Sequence, residues 1–118
     1  MDDILFRDAL VFEAYHKDKE AINTWSKILE NGKNIDRPTM VTVLIRRASC
    51  YYREKMYKEA LVDFKEIIRL GYKIKENEQV FFMYLRCKDS WFIKADVIEE
   101  LIEIELNCKL IYYYDRNI

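Results

Sequence analysis

Lys19-Glu20-Ala21-Ile22-Asn23-Thr24-Trp25-Ser26-Lys27-Ile28-Leu29-Glu30-Asn31-Gly32 returns 39 residues later as Lys58-Glu59-Ala60-Leu61-Val62-Asp63-Phe64-Lys65-Glu66-Ile67-Ile68-Arg69-Leu70-Gly71. Both stretches read K-E-A-[IL]-x-x-[WF]-x-x-I-[LI]-x-x-G. The same spacing continues upstream through Leu5/Leu44, Arg7/Arg46, Ala9/Ala48 and Phe12/Tyr51. A duplicated unit of this length implies a repeat architecture, in which neighbouring units bury one another's apolar faces. Such arrays present surfaces to partners more often than they enclose catalytic pockets.

Apolar residues within each copy recur at helical spacing. Leu5, Ala9 and Phe12 mark a first helix from about Ile4 to Lys17. Ala21, Ile22, Trp25, Ile28 and Leu29 mark a second, from about Lys19 to Asn31. Gly32 is placed to end it in the left-handed conformation. Pro38 suits the first turn of a third helix reaching Lys55, since its missing N–H lies where no intrahelical bond is made. A fourth helix follows from Tyr57 to Leu70, stopped by Gly71. The connections within each pair are short, which makes the paired helices antiparallel.

Beyond residue 71 the pattern loosens. The run Val80-Phe81-Phe82-Met83-Tyr84-Leu85 predicts a fifth helix over about 78–88. Asp96 is placed to open a final one, with Val97, Leu101, Ile104, Cys108 and Ile111 on one stripe and Ile98 and Ile102 beside it. The expected organisation is a single all-α domain over 1–118, with hairpins at about 4–31, 38–71 and 78–114.

Composition agrees with this reading. Hydrophobic residues make up 51% and charged residues 35%, a globular balance. Two glycines and one proline leave few turns for a β-rich fold. No apolar run approaches a membrane span of about 20 residues. The three cysteines, Cys50, Cys87 and Cys108, are widely spaced and odd in number. That is the usage of reduced core thiols in the cytoplasm or another reducing intracellular compartment. Net charge is −1 but segregated: −3 over residues 1–36, +6 over 37–94 and −4 over 95–118. A basic middle suits an acidic partner and equally suits internal pairing.

These residues resemble the tetratricopeptide repeat, a helix–turn–helix unit usually of 34 residues. Leu5, Ala9, Phe12, Ala21, Trp25 and Ile28 fall at the family's signature positions in the first unit. Leu44, Ala48, Tyr51, Ala60, Phe64 and Ile67 do so in the second. Phe81, Leu85, Val97, Leu101 and Ile104 give a degenerate third unit at a 37-residue offset, broken by Lys88. Asp8 and Arg47 stand where the family usually has Leu. The resemblance implies a right-handed helical stack acting as an adaptor or scaffold for other proteins, without catalysis or cofactor.

The family's ligands commonly lie in a groove lined by the first helix of each unit. By resemblance that groove would include Phe6, Leu10 and Glu13, then Ile45, Ser49, Tyr52 and Arg53, with Arg46 beside them and Arg86 from the third unit. The chaperone-binding subclass grips a terminal carboxylate through Lys and Asn where this chain has Phe6 and Leu10. Neither can donate such a bond. An apolar first unit joined to arginines instead suits an acidic amphipathic segment of a protein partner.

Other readings stay open. A structural subunit of a larger intracellular complex would bury its ends rather than its groove. Trp91, Phe92 and the tyrosines 112–114 suit it, as does assembly through the C-terminal helix. An RNA-binding repeat could use Arg46, Arg47, Tyr51, Tyr52 and Arg53, although a net charge of −1 speaks against nucleic acid. The sole histidine, His16, sits at a turn. No Cys/His/Asp cluster has metal-ligand spacing, and no Gly-rich phosphate loop occurs.

Overall fold

The computed structural model describes residues 3–32 and 34–96, with side chains described up to residue 90. It is all-α. The helices are α1 (Asp3–Ala14), α2 (Asp18–Glu30), α3 (Arg37–Arg53), α4 (Tyr57–Arg69) and α5 (Glu78–Asp96), with a short 3-10 turn at Ile74–Glu76 before α5. No strand occurs among the described residues. Each helix packs on the next, and α3 also touches α5. Glu13 of α1 in turn reaches Arg46 and Arg53 of α3. The odd-numbered helices therefore form one layer and α2 and α4 the other.

The duplicated sequence gives duplicated structure. Ala9, Ala21, Ala48 and Ala60 are all fully buried where paired helices approach. Their small side chains permit the close contact. Trp25 and Phe64 occupy equivalent, fully buried positions, followed by Ile28 and Ile67. One core cluster gathers α1, α2 and the near face of α3. A second gathers the rest of α3 with α4 and α5.

The two hairpin turns are also copies. His16 and Lys55, 39 residues apart, are the two non-glycine residues with positive φ among the described residues, at 61° and 62°. The amide of Lys17 donates to Phe12 C=O at 2.8 Å, and that of His16 to Glu13 C=O at 2.9 Å. Met56 and Lys55 donate to Tyr51 and Tyr52 in the same way, at 2.8 and 3.0 Å. This is the Schellman arrangement, which satisfies carbonyls left open at a helix end. Gly71, with φ of 95°, closes α4 the same way by the expected use of glycine.

Gly32 corrects the sequence reading, because its φ is not positive. Its role is close approach. A β-carbon there would overlap the Ile35 side chain and lie 3.0 Å from Ile28 C=O. Pro38 sits in the first turn of α3 as expected.

α5 differs more. The sequence reading ends this helix near residue 88 and opens another at Asp96, whereas α5 runs unbroken through Asp96. Neither Gly nor Pro interrupts the stretch. Val80 and Cys87 are its buried residues among those with described side chains. They lie 37 residues after Val43 and Cys50, which α3 buries against α2. At these two positions α5 thus keeps the register of α3. The remainder of the expected third hairpin, with its Val97, Leu101, Ile104 and Cys108 stripe and the tyrosine tail, lies outside the described residues.

Candidate functional site

The residues expected to line a groove sit on α1, α3 and α5, but they do unlike work. Phe6 is half-buried and meets Trp25 edge-on, with ring centroids 5.1 Å apart. Leu10 packs beside it against the first core cluster, and Ile45 against the second. Ser49 is turned back on its own helix, donating to Ile45 C=O at 2.9 Å. Tyr52 leans on Tyr57 across the hairpin at 5.7 Å. These contacts leave Phe6, Leu10, Ile45 and Tyr52 half-exposed, as apolar floor rather than core.

Glu13, Arg46 and Arg53 are brought together. The Glu13 carboxylate is nearly buried and accepts from the Trp25 indole N–H at 2.8 Å. Its other oxygen accepts from Arg53 Nη2 at 3.1 Å and faces Arg46 Nη1 at 3.6 Å. Arg53 is claimed more firmly by Asp18. Its Nε donates to both Asp18 oxygens, at 3.2 and 3.0 Å, and its Nη2 to one of them at 2.9 Å. Charge-assisted pairs of this geometry are the strong class. Arg53 therefore joins the first hairpin to the second, and its guanidinium is a strut before it is a ligand group.

The electrostatics follow from this placement. The Arg53 guanidinium holds the Asp18 carboxyl below the ordinary carboxylate value, and Asp18 in turn raises Arg53. Cys50 Sγ lies 3.3 Å from Arg53 Nη2, yet burial and the nearby carboxylates push its thiol up to about 12. Cys87 is likewise pushed up by burial, to about 11. Both are neutral core thiols at ordinary pH, with little of the thiolate that nucleophilic chemistry needs. Among the described residues no group of three or more His, Cys, Asp or Glu could hold a metal ion. No described helix is long and apolar enough to cross a membrane.

Arg46 and Arg86 are exposed cations of this layer with looser contacts than Arg53. Arg46 is exposed and meets Glu13 only at the 3.6 Å noted above. Arg86 is exposed, with its guanidinium 5.6 Å from the centre of the Phe82 ring. Phe82 is itself an exposed large apolar residue.

Sequence reasoning missed a second polar constellation. Arg47 donates to both oxygens of Asp63, at 2.9 and 2.8 Å, and to Ser26 Oγ at 3.0 Å. Its guanidinium also lies 5.7 Å from the Tyr51 ring centre. Burial pushes the Asp63 carboxyl up against the pull of Arg47, while the hydrogen bonds from Arg47 raise the guanidinium. A signal for this pair existed. Asp8 becomes Arg47 and Thr24 becomes Asp63 between copies, so two departures of opposite charge arrive together.

Comparison with protein-family models, curated proteins and solved structures gave no match.

Proposed function

We propose that this chain is a non-catalytic interaction module of the tetratricopeptide type. Its odd-helix layer takes an acidic amphipathic segment of a partner protein. The observation that carries this reading is the exposed Phe82 beneath the Arg86 guanidinium, in the same helix layer as exposed Arg46. An aromatic face with an adjacent arginine offers apolar area and a planar donor for carboxylates together. The half-exposed Phe6, Leu10, Ile45 and Tyr52 extend the apolar floor. Ion pairs at such a rim change association rate and salt dependence more than final affinity.

The test is a panel of acidic amphipathic peptides read by fluorescence polarisation. Binding that weakens with salt, and falls at least tenfold in the Arg46→Glu/Arg86→Glu double variant, supports the reading. Equal binding by the folded double variant removes it.

A further inference from the structure

The first helix of each unit carries the same buried seam in the second and third copies. At one position stand Ile4, Val43 and Val80; seven residues on stand Val11, Cys50 and Cys87. In α3 this seam docks on α2, and Val43 and Cys50 are 0% exposed. In α5 it docks on α4, with Val80 and Cys87 at 4% and 0%. In α1 the same seam is apolar but uncovered: Ile4 is 61% exposed and Val11 45%, with Tyr15 at 72% beyond them. A helix face of a repeat array that stands against water is normally polar. Two large apolar side chains in one exposed row, with exposed Tyr15 just past the helix, suit an interaction site instead.

We propose that this outer face of α1 is a docking site for a basic amphipathic helix of a partner protein, seated as α2 sits on α3. The two covered interfaces define what fits. The occupying helices present Ile22, Trp25 and Ile28 in one case and Leu61, Phe64 and Ile67 in the other. Both sets are spaced i, i+3, i+6. Ser26, at i+4, accepts a hydrogen bond from Arg47 at 3.0 Å. On α1 the place of Arg47 is taken by Asp8, which is half-exposed and meets Arg7 of its own helix only at 4.0 Å. A partner helix completing this seam therefore carries Lys or Arg at the i+4 position. The segment 95–118 of the same chain is a poor occupant: it carries −4, and the stretch 1–36 that holds this face carries −3, so like charges would meet. The face is separate from the groove and stands whether or not the groove takes a ligand.

The probe is a peptide copying residues 17–32 with Ser26→Lys, held helical by a staple between positions 19 and 23, both exposed in the fold. It is titrated into the full chain by fluorescence polarisation. Saturable binding is expected, falling at least tenfold with Val11→Glu and unchanged by Arg46→Glu in the groove. Reversing the peptide's position 26 to Glu should weaken binding, and Asp8→Lys in the protein should restore it. Val11 and Asp8 are solvent-accessible, and circular dichroism confirms that each variant is folded. No saturable binding at millimolar peptide, or binding indifferent to Val11→Glu, overturns the proposal. Sedimentation provides a separate test: a dimer of the chain alone that Val11→Glu dissolves would assign the face to a second copy and overturn the partner helix.

Discussion

Arg47 of α3 holds Asp63 of α4 through two hydrogen bonds of 2.9 and 2.8 Å, and Asp63 is 2% exposed. The pair ties the two helices of the second hairpin where the first hairpin has Asp8 and Thr24. Removing one partner leaves the other charge buried, which costs about 3–5 kcal/mol. Replacing both with apolar residues of similar volume is often near neutral. Arg47→Met and Asp63→Leu should thus each destabilise strongly, and the double variant much less than their sum. Urea denaturation of the four-member cycle checks this; additive effects would show that the pair is not coupled.

The paired turns predict a gain. His16 and Lys55 hold positive φ without being glycine. The left-handed conformation costs an L-residue about 1–2 kcal/mol, and glycine's extra unfolded-state freedom offsets part of any relief. His16→Gly and Lys55→Gly should each stabilise by roughly 0.5–1 kcal/mol, since neither side chain is buried. Val at either position should destabilise by more. Urea midpoints of the four variants measure both directions. A Gly variant less stable than the parent would contradict the assigned backbone.

Much of the scaffold was legible in the sequence for a definite reason. The K-E-A repeat places Ala21 and Ala60, Trp25 and Phe64, at one helical phase, and periodicity reports which face is buried. It does not report which charged residues meet across 35 positions, as Arg53 and Asp18 do, or across 16, as Arg47 and Asp63 do. Internal pairing of Arg46 and Arg53 with Glu13 was within reach of the sequence, but Asp18, the firmer partner of Arg53, was not. The Ile4/Val43/Val80 and Val11/Cys50/Cys87 series was present in the sequence. It is visible only once α3 and α5 show that those positions face the preceding unit. Gly32 misleads because the sequence carries a glycine's presence, while Ile35 beside it decides its use.

The close alanine contacts give a packing test. Ala60 is fully buried at the α3–α4 approach, so Ala60→Leu should overpack it by about 1–3 kcal/mol. Phe64, fully buried and edge-on to Tyr84 at 6.2 Å, should cost about 3–5 kcal/mol when cut to Ala. That approaches the whole stability of a small domain. Val62→Ala, on the exposed side of the same helix, should be nearly silent. Thermal melts of the three variants should rank Phe64→Ala below Ala60→Leu below Val62→Ala; any other order would misplace the buried face of α4.

Two buried carboxylates should shape acid stability in opposite directions. Asp18 has its carboxyl lowered from the ordinary 3.8, chiefly by hydrogen bonds from Arg53. The unfolded chain therefore binds its proton first, and the contribution, present above the unfolded value, is lost as pH falls through the folded one. Asp63 has its carboxyl raised from 3.8, chiefly by burial. Its contribution runs the other way: complete below the unfolded value, it is lost as pH rises through the folded one. Asp18→Asn should flatten the fall in urea midpoint below about pH 4, even as it lowers stability at neutral pH. Asp63→Asn, by removing the opposing contribution, should steepen that fall. Urea midpoints collected from pH 2.5 to 7 read both slopes. Parallel pH profiles for Asp18→Asn and the parent would show that Arg53 does not hold Asp18 in its charged form.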